Sequence, residues 1–274
     1  MDEPLKPGLY IVATPIGNLS DLSPRAAEIL ARADLIAVED SRVTAKLLRY
    51  IGVKRPMAPY HDHNAEQVRP GLIARMASEA IALVSDAGTP LISDPGYKLV
   101  RDARAAGIPV VTIPGPSAVI AALTLAGLPT DRFAFFGFLP PKGKAATIAE
   151  AAAFKGSLVF YESGPRLAAA LSALAEGLGD RDAAVAREIS KRFEETQTGT
   201  LSELAALYAD APPKGEIVIV VGPPGEAAEA SESEIDSALR EAMIRLSPSR
   251  AAAEVAERLD VPKRTVYARA QMLK

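Results

Sequence analysis

The chain contains no cysteine and no tryptophan, and only two of its 274 residues are histidines. The absence of cysteine excludes disulfides, thiolate metal ligands and a cysteine nucleophile. His61 and His63 are too few to build a histidine-rich centre, and we therefore expect no bound metal.

Long apolar segments are also missing. No run approaches the roughly 18 apolar residues that a membrane-spanning helix needs. Residues 1–4 are acidic and carry no apolar stretch of the signal-peptide kind. We therefore expect a cytoplasmic protein with no membrane partner.

Neither sign of charge dominates, since the chain has 31 Lys and Arg residues and 34 Asp and Glu residues, which gives a net charge of −3. Such a chain can meet nucleic acid only through a local basic patch. The hydrophobic share of 49% and the charged share of 24% are ordinary for a globular protein. The length suggests about two domains.

The first half of the chain alternates short apolar runs with helical segments, which predicts an α/β domain with a parallel sheet over residues 1–127. The predicted strands lie at 9–13, 35–38, 80–85 and 108–113. Helices are predicted from Pro24, with Ser23 as N-cap, from about Thr44 to Gly52, and over 117–126. Residues 60–64 are predicted as a loop at a strand end.

The second half, residues 128–222, reads as a further α/β domain with a mixed sheet. The predicted strands lie at 133–138, 157–161, 183–189, 193–200 and 217–221. The predicted helices lie at about 145–153, 165–177 and 201–209.

The C-terminal part begins with residues 223–234, whose Pro, Gly, Ser and Glu content predicts a linker. Residues 235–274 predict a helical tail with helix-turn-helix spacing. Ser249 is expected to cap one helix, and Lys263 to begin the next, in which Val266, Tyr267 and Leu273 are the apolar residues. From 245 onward seven basic residues stand against three acidic ones, which favours nucleic acid over a simple packing role.

Two loops rich in Gly and Pro, at 84–96 and 114–117, follow predicted strands of the first sheet. Ligands of α/β sheets bind at the carboxyl ends of strands, so these two loops could line a binding site. In the second loop, Ser117 would lie at a helix N-terminus, whose free N–H groups can also bind a ligand. A lone loop of this kind is as often a simple tight turn. Residues 137–145 do not form a phosphate loop, because five residues rather than four precede Gly-Lys and Ala145 follows.

Charged residues follow several predicted strands. One strand is followed by Glu39, Asp40 and Arg42, and another by Glu162 and Arg166. A third strand leads into four charged residues that are candidates for a catalytic role: Arg187, Glu188, Lys191 and Glu194. Surface ion pairs are the alternative reading, but strand ends are also well placed to line a cleft.

Several segments together resemble one protein family. They are 14–19 (TPIGNL), 39–42 (EDSR), 85–90 with 94–96 (SDAGTP, DPG), 114–118 (PGPSA), 161–163 (YES), 187–188 (RE) and 214–216 (KGE). In this order they resemble the tetrapyrrole-methylase-like superfamily of S-adenosylmethionine-dependent methyltransferases, in its bacterial ribosomal RNA branch. The resemblance runs over about 8–222, and the tail is similar to that branch's C-terminal extension.

The resemblance implies two α/β domains with S-adenosylmethionine in the cleft between them, usually in a homodimer. It implies methylation of a cytidine 2′-hydroxyl in the decoding region of small-subunit (16S) ribosomal RNA. We expect the assembled small subunit as the partner, with naked RNA as the open alternative. The expected cofactor contacts are Pro15, Asp86, Ala87, Gly88, Thr89, Ile92, Ser117, Ala118 and Glu216. The expected RNA contacts are Arg42, Lys142, Lys144, Arg166, Arg250, Lys263 and Arg264.

One departure from the family pattern stands at residues 164–166. The family usually has Pro-His-Arg after Tyr-Glu-Ser, whereas this chain has Gly164, Pro165 and Arg166. Any role of that histidine is therefore absent here.

A 2′-hydroxyl is a weak nucleophile, so a base or a nearby cation should assist the reaction. The four residues after the third strand, Arg187, Glu188, Lys191 and Glu194, are the catalytic candidates. The 2′-hydroxyl also distinguishes RNA from DNA, and no DNA partner is expected.

Two other functions compete with this interpretation. One is a tetrapyrrole methyltransferase of the same fold, which the basic tail and residues 14–19 disfavour. The other is a non-enzymatic nucleic-acid-binding regulator that acts through residues 235–274.

Overall fold

The computed structural model describes residues 4–225, 231–259 and 261–273. The chain is divided into two compact units, Met1–Pro223 and Pro224–Lys274. Among the described residues, no helix combines the length and the apolar character needed to cross a bilayer.

The first sheet is entirely parallel and has the strand order β3-β2-β4-β1-β5. Its strands are β1 (Gly8–Val12), β2 (Leu35–Val38), β3 (Met57–Pro59), β4 (Ala80–Val84) and β5 (Val110–Ile113). The helices between and after them are α1 (Pro24–Arg32), α2 (Ser41–Tyr50), α3 (Ala65–Met76), α4 (Tyr97–Ala105) and α5 (Ala118–Ala126). Strands β1, β2 and β4 are buried along their whole length, as expected for a sheet covered on both faces.

The second sheet is mixed, with the order β6-β7-β10-β8-β9. Its strands are β6 (Phe133–Phe138), β7 (Ser157–Ser163), β8 (Asp182–Arg187), β9 (Glu195–Thr200) and β10 (Glu216–Val221). Only β6 and β7 run parallel; the other pairs are antiparallel. Helices α6 (Lys144–Ala152), α7 (Leu167–Leu178) and α8 (Leu201–Leu207) accompany it.

Helix α5 joins the two sheets. It begins beyond β5 of the first sheet, yet Val119, Leu123 and Ala126 pack against Val159 and Val218 of the second. The α5 sequence is apolar on nearly all sides, which suits a helix held between two layers. This packing places the carboxyl end of the first sheet against the second sheet.

The α/β architecture, the parallel first sheet and the mixed second sheet are confirmed. Sequence patterns did not locate β3 or define α3 and α4. Helix α2 begins at Ser41 rather than near Thr44, because the Asp40 carboxylate accepts a hydrogen bond from the N–H of Arg42 at 2.8 Å and caps the helix there.

Residues 188–194 were predicted in part as strand, and this was wrong. They form a turn between β8 and β9 in which Glu188 and Ser190 adopt positive φ angles of 49° and 64°. Both predicted domains, 1–127 and 128–222, lie within the first compact unit, so the boundary between them stays a prediction.

The C-terminal unit contains α9 (Glu232–Met243), α10 (Pro248–Leu259) and α11 (Lys263–Met272) around a small apolar core. Ser231 and Glu234 cap α9 reciprocally, so the predicted linker ends before 234. Part of that linker, residues 226–230, lies outside the described residues. Ser249 lies within the first turn of α10 and is not its cap, because that helix begins at Pro248.

Candidate functional site

Four loops meet at the carboxyl end of the first sheet. Thr14, after β1, and Gly88, after β4, pair through two backbone hydrogen bonds of 2.8 and 3.1 Å. The Thr89 hydroxyl donates to the carbonyl of Pro116, after β5, at 3.0 Å. The Asp86 carboxylate accepts from the N–H of Asp40, after β2, at 2.9 Å. The loops therefore form one connected surface.

Small residues are required where these loops touch. Gly88 has a φ of +79°, and a Cβ on it would lie 3.3 Å from Cγ2 of Ile16. A Cβ on Gly115 would lie 2.9 Å from the Cβ of Ala13. Backbone atoms consequently form much of this surface, which leaves room for a ligand to approach the main chain.

A cavity of about 230 Å³ lies between this surface and the second sheet. Small-molecule sites usually enclose about 300–1,000 Å³, so a cofactor-sized occupant would extend into the open cleft. The lining residues are Ile16, Glu39, Asp86, Ala87, Gly88, Thr89, Ile92, Ser93, Asp94, Ser117, Ala118, Phe138, Tyr161, Glu188, Ile189, Lys191, Glu216, Ile217 and Val218.

Carboxylates dominate the wall formed by the first sheet. Burial raises the pKa of Glu39 and of Asp86 above their usual values. Burial, together with the charges of Glu39, Asp86 and Glu216, raises the pKa of Asp94 to about 6, although a hydrogen bond with Ser85 opposes the shift. A cationic occupant would relieve this mutual repulsion.

The opposite wall carries an ion pair in the turn after β8, where Lys191 Nζ lies 3.0 Å from Glu188 Oε1. Two glycines from other segments leave space for the pair. A Cβ on Gly17 would clash with the Lys191 side chain, and a Cβ on Gly215 would clash with the Glu188 carboxylate.

Two further hydrogen bonds hold the turn, and Ser190 makes both of them. The Ser190 hydroxyl donates to the Asp21 carboxylate, in the 3₁₀ turn Leu19–Asp21 beyond β1. The Glu194 carboxylate accepts from the N–H of Ser190 at 2.5 Å. The turn that carries Lys191 is therefore tied to the loop after β1, across the cleft.

An aromatic group forms the remaining side of the cavity. Tyr161 packs edge-on against Phe135 and Phe138, with ring centroids 4.8 and 5.4 Å apart. Burial, and then the charges of Asp94 and Glu216, raise the pKa of Tyr161 to about 12. Its hydroxyl thus stays protonated and can donate a hydrogen bond.

Eight of the nine expected cofactor contacts line the cavity: Asp86, Ala87, Gly88, Thr89, Ile92, Ser117, Ala118 and Glu216. Pro15 is not among the lining residues, whereas its neighbour Ile16 is. The sequence interpretation did not select Asp94, Phe138, Tyr161 or Ile189. Asp94 and Tyr161 lie in the motifs that carried the family resemblance, and this position in the motifs could have identified them as cavity residues.

The four catalytic candidates separate into two pairs. Glu188 and Lys191 line the cavity. Arg187 instead pairs with Glu195 on the neighbouring strand, and Glu194 holds the turn. The structure thus gives Arg187 and Glu194 supporting contacts, outside the cavity lining.

The expected RNA contacts are scattered over both units. Arg42 is exposed but pairs with Asp40 at 2.6 Å, and Arg166 pairs with buried Glu162 at 3.2 Å. Within the described residues, Lys142 and Lys144 make no ion pair, and neither do Arg250, Lys263 and Arg264 of the C-terminal unit.

Of the two residues that depart from the family pattern, the structure gives a reason for Gly164. A Cβ at this buried position would overlap the carbonyl oxygen of Pro213. The glycine therefore lets the segment that leads into Gly215 and β10 approach the 3₁₀ turn Gly164–Arg166 closely.

Comparisons with known proteins agree with this architecture. The model of the family "Tetrapyrrole (Corrin/Porphyrin) Methylases" matches residues 8–205, and the model "RsmI C-terminal HTH domain" matches residues 229–274. A solved uroporphyrin-III C-methyl transferase of Thermus thermophilus, in complex with S-adenyl homocysteine, has the same fold. Its TM-score is 0.55 at 21% identity, and the match covers 78% of this chain and 97% of that one.

Curated relatives are much more similar in sequence. A protein of Mesorhizobium japonicum named "Ribosomal RNA small subunit methyltransferase I" is 51% identical over 99% of this chain and 94% of its own length. A protein of the same name from Erythrobacter litoralis is 52% identical over 99% of this chain and 97% of its own length. On these matches, the chain belongs to the tetrapyrrole methylase family, together with the proteins named ribosomal RNA small subunit methyltransferase I.

Proposed function

We propose that the protein transfers a methyl group from S-adenosylmethionine to the 2′-hydroxyl of a cytidine in small-subunit ribosomal RNA. The observation that carries this proposal is the cleft itself, in which an acidic wall with exposed backbone faces the Lys191–Glu188 pair. The names of the full-length relatives support ribosomal RNA as the substrate.

The acidic wall suits this cofactor. S-adenosylmethionine carries a positive sulfur, and Asp86, Asp94 and Glu39 provide negative charge that no described cation neutralises by a direct ion pair. The loop at Gly88 and the first turn of α5 offer backbone N–H and C=O groups to a nucleoside. The Ser117 side chain makes no capping hydrogen bond to α5, while the N–H of Val119 in the first turn is bonded to Tyr161.

When bound, the cofactor supplies an activated methyl group, so the chain needs only to position the acceptor and manage its proton. Glu188 Oε1 is engaged by Lys191, and Oε2 is left to accept the proton of the 2′-hydroxyl. The Lys191 ammonium stabilises the negative charge that develops on that oxygen. Tyr161, held protonated, donates a hydrogen bond within the cavity.

The choice of RNA rests on residues outside the cavity. The phosphates would be contacted by Lys142 on the loop between β6 and α6, by Lys144 at the start of α6, and by the cations of the C-terminal unit. We place the target cytidine in the decoding region of the assembled small subunit, and we expect the protein to act as a cytoplasmic homodimer.

The test is transfer of a deuterated methyl group from labelled S-adenosylmethionine. Small subunits, and the RNA extracted from them, would be taken from cells that lack the protein and incubated with the purified full chain. Nuclease digestion and mass spectrometry should detect labelled 2′-O-methylcytidine, more from the subunits than from extracted RNA. Label on a base, or on an added tetrapyrrole instead of RNA, would overturn the proposal.

A further inference from the structure

The exposed face of α11 combines an aromatic ring with two cations. Lys263 and Arg264 stand four and three residues before Tyr267, so the three side chains share one side of the helix. Val266 and Ala270 are buried in the core of the C-terminal unit, whereas Tyr267 is 43% exposed. The sequence interpretation grouped Tyr267 with the apolar residues of this helix, and the structure adds that its ring is exposed.

Three other cations of the tail have partners within their own unit, whereas Arg250 makes no ion pair among the described residues. Arg269 pairs with Asp236 and Glu232 of α9, at 2.6 and 2.5 Å. Arg258 pairs with Glu241, and Arg245 with Glu254. Lys263 and Arg264 have no such partner in the described part of the chain, and the sequence of α11 contains no acidic residue.

We infer that Lys263, Arg264 and Tyr267 form a binding surface for unpaired RNA, on which one base stacks against Tyr267 while the two cations contact the flanking phosphates. The inference rests on the proposed function for its choice of RNA as the partner. Aromatic rings between cations suit single strands, because every base has a stacking face and a duplex hides it.

A second exposed tyrosine provides a matched control. Tyr97, the first residue of α4, is 62% exposed and is also accompanied by cations, Lys98 and Arg101. Those cations are engaged by carboxylates, Lys98 by Glu66 at 3.1 Å and Arg101 by Asp102 at 2.9 Å. Tyr97 therefore has an exposed ring without free neighbouring charge.

The experiment measures binding of the full chain to a fluorescent 12-nucleotide RNA, single-stranded or annealed to its complement. Tyr267→Gln should weaken binding of the single strand by about tenfold, within the range expected for one stacked base, and leave duplex binding unchanged. Tyr267→Phe should bind within about twofold of the parent, because a phenyl ring also stacks. Tyr97→Gln should bind like the parent.

Salt dependence separates the ring from the charges. Replacing Lys263 and Arg264 by Met should lower the slope of log affinity against log salt by about 0.7 for each lost phosphate contact. Tyr267→Gln should leave that slope unchanged. Equal loss in Tyr267→Phe and Tyr267→Gln, or unchanged binding in Tyr267→Gln, would overturn the inference.

The methyl-transfer assay separates this inference from the proposed function. Tyr267→Gln should raise the KM for RNA without changing kcat or the affinity for S-adenosylmethionine. A parent protein that binds single strands through Tyr267 but methylates no RNA would refute the proposed function alone. A parent that methylates RNA while Tyr267→Gln keeps the same KM and affinity would refute the inference alone.

Discussion

The two walls of the cleft are built in different ways. The wall of the first sheet consists of loops whose Gly and Pro residues fix the main chain, with Gly88 paired to Thr14 and Thr89 bonded to Pro116. The opposite wall presents the side chains of Glu188 and Lys191, which are long and adjustable. Their positions depend on glycines elsewhere in the chain, Gly17 and Gly215.

The difference predicts different consequences of mutation. A change in the first wall alters the backbone that a cofactor would contact, so it should act on binding. A change in the second wall moves charged groups near the acceptor oxygen, so it should act on the rate of transfer.

The largest effect should come from Gly88→Leu. The new side chain would contact Ile16 and fill the space before α5. The backbone of residue 88 would also be strained, because a φ of +79° is unfavourable for leucine. We expect the affinity for S-adenosylmethionine, measured by calorimetry, to fall at least about a hundredfold, or about 2.8 kcal/mol.

Gly179→Leu is the matched control for this experiment. Gly179 has a similar φ of +84°, but a Cβ there would meet nothing within 4 Å. This variant also places a side chain at a positive φ, but away from the cleft, and it should retain cofactor affinity. If Gly88→Leu kept that affinity as well, the assignment of the first wall to cofactor binding would be wrong.

The sequence predicted the first wall well because its signals are local. Short apolar runs followed by Gly and Pro define both strand and loop, and parallel strands bring such loops to one edge. The second wall is set by contacts between distant segments. Nothing in residues 188–194 alone indicates that Gly17 and Gly215 make room for this turn, or that Ser190 bonds to Asp21.

The second largest effect should come from Glu188→Gln. The amide cannot accept the proton of the 2′-hydroxyl, so kcat should fall about a hundredfold, as is typical for loss of a general base. Cofactor affinity should change little. Single-turnover transfer to small subunits, together with calorimetric binding, would measure the two quantities.

Glu194→Gln tests whether this role is specific to one carboxylate of the turn. Glu194 accepts a hydrogen bond from the Ser190 N–H, and a glutamine can still accept it. Its kcat should stay within about threefold of the parent, since general-base catalysis is not affected. Similar losses in both variants would show that the turn acts only as a structural unit.

A smaller effect is expected from Gly17→Ala. The added methyl group would displace the flexible stem of Lys191 without requiring a left-handed backbone, so the melting temperature should change little. We expect kcat to fall about tenfold because the cation moves away from the acceptor oxygen, a loss of about 1.4 kcal/mol in transition-state stabilisation.

Replacing Lys191 itself sharpens this prediction. In Lys191→Met the Gly17→Ala change should have no further effect on kcat, because the displaced ammonium is already gone. Additive losses in the double variant would place the effect of Gly17 elsewhere in the loop after β1.

The smallest effect concerns pH and Asp94. Its pKa is raised to about 6 by burial and by Glu39, Asp86 and Glu216, so the ionised form is disfavoured in the cofactor-free protein. Because the pKa of Asp94 is higher in the folded than in the unfolded protein, its carboxyl group contributes to the stability of the fold. This contribution is fully present below about pH 4 and is lost as pH rises through about 6. A bound cation reverses the preference and favours the ionised carboxylate.

Affinity for S-adenosylmethionine should therefore weaken by about threefold to fivefold as pH falls from 7.5 to 5, the size expected for one partly screened charge pair. S-adenosylhomocysteine has a neutral sulfur, so its affinity should vary less over the same range. Asp94→Asn should remove the difference between the two ligands and raise the stability of the cofactor-free protein at pH 8. A pH dependence that persists in Asp94→Asn would assign the titration to Asp86 or Glu39, which face the same cavity.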